Sequence, residues 1–286
     1  MEKFFYGWYL KCQSDTQTLA VIPAVHQAGQ KRSYSIQVIT DSDAWNITFP
    51  AWTFLRRGTK IFIGDNLFDE RGVKLSLNTQ HLQVEGKLKF GPLTPLKYDI
   101  MGPFALVPFM ECRHSVFSMR HVVNGTIFLN GEKLIFNNAI GYWEGDQGRS
   151  FPREYLWTQC HFKDGSLMLS VADIPIFGRH FTGIIGVVLW KGKEYRLATY
   201  LGAKIKYLQK GMVRIVQRDM ELEACLLEKD LLKVAGKGLR APVQGEMTRT
   251  IHEKAACHAR YRFRKKNYVY LTFETGRASF EYEYRR

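Results

Sequence analysis

Along most of the chain, apolar side chains either alternate with polar ones or gather in short runs rich in β-branched and aromatic residues. This is the pattern of strands, not of helices. TLAVIPAVH, RSYSIQVIT, KLIFNN, GSLMLSVADI, TGIIGVVLW, EYRLATYL, NYVYLTFET and ASFEYEYR all read this way. Hairpin signals stand between them: FLNGEKL, FKDGSL and LWKGKEY set Asn-Gly, Asp-Gly or Lys-Gly between apolar flanks, so neighbouring strands should pair antiparallel. Turn signals recur at roughly 8–12 residues, the spacing of sandwiches and barrels. Only Met220–Val234, MELEACLLEKDLLKV, has a helix-like period. The pattern predicts an all-β chain of two barrel-like antiparallel halves packed together, with at most a short helix near 220–234, because two small barrels fill their interiors and one wide barrel would not. The Pro/Gly-rich stretch Phe90–Phe109 is the expected crossing, dividing 1–105 from 106–286. No sharp internal repeat is visible.

Composition narrows the class. The 286 residues are 45% apolar and 14% aromatic, which is globular rather than disordered, and the net charge of +14 either invites an acidic partner or keeps the protein soluble. Five scattered cysteines without a C-x-x-C support neither a disulfide framework nor a zinc knuckle. A reducing, cytoplasmic location is expected, since the N-terminal MEKFFYGWYLKC lacks a signal-peptide core and no run approaches the ~20 apolar residues of a membrane span. Peripheral membrane contact remains open. The common hydrolase, P-loop, dinucleotide and zincin motifs are absent, so no cofactor is expected.

Four stretches carry candidate chemistry. In MECRHSVFSMRHVVNGTIFLNG, strand alternation turns His114 and His121 to opposite faces unless a bulge intervenes, and leaves only Cys112 beside His114; no metal site is expected there. ARYRFRKKNYVYLTF alternates Arg260, Arg262 and Arg264 with Tyr261 and Phe263, which reads as a solvated hairpin turning at RKKN; specific nucleic-acid binding is not expected. FFYGWYLK sets Gly7, a residue that permits close approach, before Trp8 and Tyr9, whose large rings suit either a ligand pocket or a core. GYWEGDQGRSFPREYLWTQC is the densest. If its start is extended, Tyr142, Glu144 and Asp146 share one face and Trp143 takes the other. Two readings stand side by side: a proton-donating carboxyl pair with Tyr155 and Trp157 as cation-stabilising faces, or a structural turn in which Asp146 accepts backbone amides and Arg149 pairs with Glu144.

Taken together, FYGWYLK and GYWEGDQGRSFPREYLWTQC resemble the tocopherol cyclase-like family, through Gly7, Trp8, Tyr9 and Lys11 and then Gly141, Tyr142, Glu144, Asp146, Gly148, Ser150, Phe151, Pro152, Tyr155, Trp157 and Gln159. Leu10 and Gln147 depart from the family pattern. The resemblance implies two lipocalin-like β-barrels and, from the family's plant and cyanobacterial members, proton-driven closure of a prenylated hydroquinone to a chromanol without redox change. On that basis Glu144 and Asp146 are the candidate catalytic residues. Trp8, Tyr9, His114, Tyr142, Tyr155, Trp157 and Gln159 are the candidate contacts to a hydrophobic small molecule. The alternatives are a non-catalytic carrier of such a molecule, or a basic binder of nucleic acid or membrane surface.

Overall fold

The three hairpin signals fold as their residues dictate. Asn130, Asp164 and Lys191, each preceding a glycine, take left-handed φ values of 48°, 61° and 49°, the conformation with which a two-residue loop matches the twist of its strands. The computed structural model describes residues 3–107, 110–176, 179–227, 238–266 and 268–284. These are antiparallel strands with three short 3-10 segments; there is no α-helix among them, and so none long and apolar enough to cross a membrane. No disulfide forms among the described residues.

One sheet contains β1 (Lys3–Gln13), β2 (Thr18–Ala28), β3 (Lys31–Ile39), β4 (Ala44–Phe49), β5 (Phe54–Arg57), β6 (Lys60–Ile63), β7 (Asn66–Asp69), β8 (Gly72–Asn78), β9 (Gln83–Phe90), β10 (Cys112–Leu129) and β11 (Glu132–Gly148), in the order β4-β3-β2-β1-β11-β10-β9-β8-β7-β6-β5. After it come β12 (Tyr155–Phe162), β13 (Gly165–Ile176), β14 (Arg179–Trp190), β15 (Lys193–Ala198), β16 (Lys204–Gln209), β17 (Met212–Gln217), β18 (Met220–Leu226), β19 (Leu239–Val243), β20 (Glu246–Ile251), β21 (Glu253–Lys265) and β22 (Tyr268–Tyr282). The second sheet runs β15-β14-β13-β12-β22-β21-β18-β17-β16, and β19 and β20 form a separate ribbon. Both sheets follow one plan, with the first strand paired to the last and hairpins running outward from that seam. The repetition missing from the sequence is therefore present in the topology.

Each sheet curls until its edges meet. Tyr34 of β3 stacks on Phe54 of β5 at 4.4 Å between ring centroids, and Gln217 of β17 hydrogen-bonds the main chain of Arg196 and Ala198 on β15. Inside the first curl lie Leu10, Ile36, Phe68, Leu75, Ile127 and Phe136; inside the second, Leu156, Leu167, Val188, Ile215, Leu222 and Phe280. Burying each such side chain contributes about 1.5–3 kcal/mol. A third cluster, with Tyr9, Tyr142, Tyr155, Trp157 and Met168, joins the outer faces of the two barrels.

Three expectations change. Met220–Leu226 is strand β18, not helix, with Leu222, Ala224 and Leu226 facing inward; residues 228–234 lie outside the described segments. NYVYLTFET and ASFEYEYR are one strand, β22. The change of sheet falls between Gly148 and Tyr155, not within Phe90–Phe109. That Pro/Gly-rich stretch does reach the second sheet, where the Arg196 guanidinium lies 3.4 Å from the Tyr98 ring centroid and donates to the carbonyls of Tyr98 and Asp99. The chain then returns to form β10 and β11 beside β1.

Candidate functional site

The motif at 141–148 is the end of β11, a central strand, with Glu144 opposite Tyr9 and Asp146 opposite Gly7 on β1. Asp146 is also opposite His114 on β10. The turn reading is thereby corrected: Asp146 accepts from His114 Nδ1 at 2.9 Å, with Cys112 Sγ at 3.6 Å, rather than from a ring of loop amides. Alternation turns Trp143 into the first barrel, where it packs on Trp8 at 5.1 Å, and turns Tyr142, Glu144 and Asp146 toward the second barrel. Gly141 is required locally, because a Cβ there would stand 2.2 Å from His121 Nε2.

Glu144 is buried and held from three sides. Tyr142 donates to its Oε2 at 2.5 Å and Trp157 Nε1 at 3.2 Å, while His114 Nε2 lies 3.1 Å away, off the line of a full hydrogen bond. The cation at both carboxylates is thus His114, whereas the charge of Arg149, the expected partner of Glu144, bears on Glu111. Burial alone would push the His114 pKa down, but the charges of Glu144 and Asp146 outweigh it and hold the imidazole well above its ordinary value.

Across the seam the second sheet supplies a matching set. Glu281 on β22 is opposite both Trp157 on β12 and Glu253 on β21. Tyr9 reaches over from β1 to donate to Glu253 at 2.5 Å and lies 3.0 Å from Ser279 Oγ. Tyr155 donates to Glu281. The cross-sheet bonds are reciprocal, since Tyr9 binds a carboxyl of the second sheet and Trp157 one of the first, with their rings edge to face at 5.2 Å. Burial pushes the Glu253 carboxyl up to about 7 and holds Glu281 well above the usual carboxylate range, the charge of Glu253 adding to the effect. The second carboxyl oxygen of Glu253 is buried without a hydrogen-bond partner among the described residues.

These groups border one cavity of about 150 Å³ between the barrels, a volume on the order of those in which apolar sites take up a small aromatic molecule. Its other walls include Ile22, Ala24, Met101, Ile174 and Ile251. Of the residues expected from the sequence, Trp8, Tyr9, His114, Glu144, Asp146, Tyr155 and Trp157 line it, although Trp8 belongs mainly to the first barrel's core. Tyr142 does not line it but is fully buried and braces Glu144. Gln159 is not gathered to it; its amide nitrogen faces His161 and Ser166 at 3.4 and 3.5 Å.

Glu253 and Glu281 were not foreseen. The only signal for Glu253 is a carboxyl in phase with the small buried residues Ala255, Cys257 and Ala259. That signal is disguised, because bulges between Lys254 and Ala259 switch the face the strand presents.

His114, Glu144 and Asp146 bring their ligand atoms within 4.8 Å of one another, close enough to consider a cation. The imidazole, however, offers one nitrogen to each carboxylate, so the three do not converge on a point as metal ligands must. Strand alternation turns His121 away from His114 unless a bulge intervenes. Register shifts at Val116, Ser118 and His121 do interrupt β10, but His121 bonds Ser118 at 2.9 Å and packs on Phe90.

Comparison with known proteins follows the same lines. No family model matches the chain. A stretch of 77 residues, 27% of this chain, is 31% identical to a protein of Oryza sativa subsp. japonica described as "Probable tocopherol cyclase, chloroplastic". It is 30% identical to "Tocopherol cyclase, chloroplastic" of Zea mays. The match spans only 16% of the length of either plant protein, and so supports a relationship over part of the chain. Solved structures resemble it throughout: CghA with Sch210972 at a TM-score of 0.63 and 8% identity, covering 98% of this chain and 88% of that one, and an AttH-type protein of Nitrosomonas europaea at 0.58 and 9%, covering 99% and 93%. At such identities the likeness is one of fold, and the fold is all-β and lipocalin-like.

Proposed function

We propose that the chain binds an apolar, ring-bearing small molecule between its barrels, the ring and first prenyl unit of a prenylated quinol being the leading candidate occupant, and closes it by proton transfer without a cofactor. The observation that supports this reading is the convergence of four carboxyl groups, two from each sheet, on one largely apolar cavity. In the proposed step the Glu253 carboxyl gives its proton to an alkene carbon of the substrate. A C–H bond forms as the O–H bond breaks, and the cation left on the adjacent carbon faces the rings of Tyr9, Tyr155 and Trp157. The quinol oxygen then attacks that carbon, and its proton passes to a carboxylate of the Glu144–His114–Asp146 group. The product is an isomer of the substrate, and no electron acceptor is consumed.

A non-catalytic carrier is the second reading, favoured by the Tyr, His and Trp donors that already engage each of the four carboxyl groups. The two separate experimentally. Mass spectrometry of material that co-purifies, followed by incubation with a prenylated hydroquinone, should return a product of unchanged mass, and Glu253→Gln or Glu144→Gln should slow its formation by about 100-fold or more. A ligand bound and released unaltered by the wild-type chain leaves the carrier.

A further inference from the structure

The first barrel opens at one end into a second cavity of about 790 Å³, which meets the first only at Phe5, Ala24 and Met110. Its walls are the inward-facing rings and aliphatic chains of Tyr6, Val25, Tyr34, Phe54, Ile61 and Ile63. Its rim is cationic: Lys3, Arg32, Arg56, Arg113 and Arg149 border it, and no Asp or Glu among the described residues does. Arg113 follows directly from strand alternation, because its neighbour His114 faces the cavity between the barrels and Arg113 therefore turns to the opposite side of β10. It is half-buried and has neither a hydrogen bond nor an ion pair among the described residues. Arg56 donates only to the carbonyl of Gly58, and its charge bears on the Tyr6 hydroxyl inside the cavity. Arg32 donates to Gln27 and lies over the Phe4 ring.

A half-buried guanidinium without a counter-charge carries an uncompensated desolvation cost, and a second unneutralised arginine beside the same opening adds repulsion. An anion at the mouth relieves both. The wall below it is apolar, and the volume suits a molecule of lipid size rather than a small ion. We propose that the mouth of the first barrel binds a long-chain carboxylate, with its tail among Tyr34, Phe54, Ile61 and Ile63 and its head on Arg113 and Arg56. This site lies on the opposite side of β1 from the cavity between the barrels, and the proposal does not depend on any chemistry there.

The test uses the full chain and a fluorescent polyene fatty acid, cis-parinarate, displaced by palmitate or by hexadecanol, which has the same chain without the charge. Palmitate should displace the probe at concentrations at least tenfold lower than hexadecanol. The Arg56→Gln/Arg113→Gln double variant should weaken palmitate by tenfold or more, the loss expected of a charge-assisted hydrogen bond, while leaving hexadecanol displacement and the unfolding midpoint unchanged. Added salt should weaken palmitate alone. Equal displacement by acid and alcohol in the wild-type chain, or unchanged palmitate affinity in the double variant, overturns the proposal.

Discussion

His114 is the residue through which the first sheet's half of the site is organised, and its behaviour is measurable without a ligand. Held up by Glu144 and Asp146, it should remain an imidazolium well above its ordinary value of 6.5. Burial takes His26 and His121 the other way, to about 4. The signs follow. The stabilisation from His114 is complete below 6.5 and is lost as pH rises through its folded value, whereas His26 and His121, buried neutral, cost stability as pH falls from 6.5 toward 4. Imidazole NMR should therefore resolve one late and three early titrations, the third being that of His161, which burial holds well below its ordinary value, and Asp146→Asn should move the late one down. The same variant should lower stability by about 1–3 kcal/mol, the cost of a lost hydrogen bond to a charged group. A His114 that titrates at or below 6.5 would show that the carboxylates do not hold it.

At the scale of the element, neighbours decided what local pattern left ambiguous. MELEACL carries apolar residues at both helical and strand spacing. It became β18 because Glu221 and Glu223 meet Arg264 and Arg262 across the ladder to β21, at 3.9 and 2.9 Å, while Leu222 and Ala224 fill the second barrel. The same pairs answer the question of the arginine-rich hairpin. Tyr261 and Phe263 point inward, Arg260, Arg262 and Arg264 each have a glutamate partner, and Tyr268 and Tyr270 of β22 stay exposed. Fluorescence anisotropy with a labelled short RNA should show weak, sequence-independent binding that fades steeply as salt rises from about 50 to 200 mM. Tight binding to one sequence that survives that salt would contradict the hairpin reading.

For the whole molecule, the packing of one barrel on the other is what the pH of unfolding should report. Lys11 is fully buried at that packing face, and its Nζ donates to the carbonyl of Arg277 on the last strand at 2.9 Å, joining the two ends of the chain. Burial lowers its pKa from 10.5 to about 8. A lysine whose folded value is depressed makes the protein more stable as pH rises from about 8 toward 10.5, because over that range the unfolded chain binds the proton and the folded chain does not. In denaturant titrations the stability of the wild-type chain relative to Lys11→Met should rise over this range, with the variant at least as stable at pH 7. Equal slopes would place Lys11 in contact with solvent and undo the packing described.

Much of this was legible in the order of residues. Strand class, hairpin turns at Asn-Gly, Asp-Gly and Lys-Gly, and the shared face of Tyr142, Glu144 and Asp146 all follow from interactions between neighbours in sequence, whose geometry a period of two already contains. What the residue order did not contain is which strands meet. His114 reaches Asp146 through the ladder between β10 and β11, Glu253 and Glu281 arrive from the far end of the chain, and Tyr9 crosses to a carboxyl 244 positions away. Alternation assigns a side chain to a face, but a bulge can reverse that assignment, as it does after Glu253, and only the closing of two sheets determines what the face looks upon. The carboxyl motif could therefore be found in the sequence, whereas the partners that set its charge and the cavity it serves exist only where the two barrels pack.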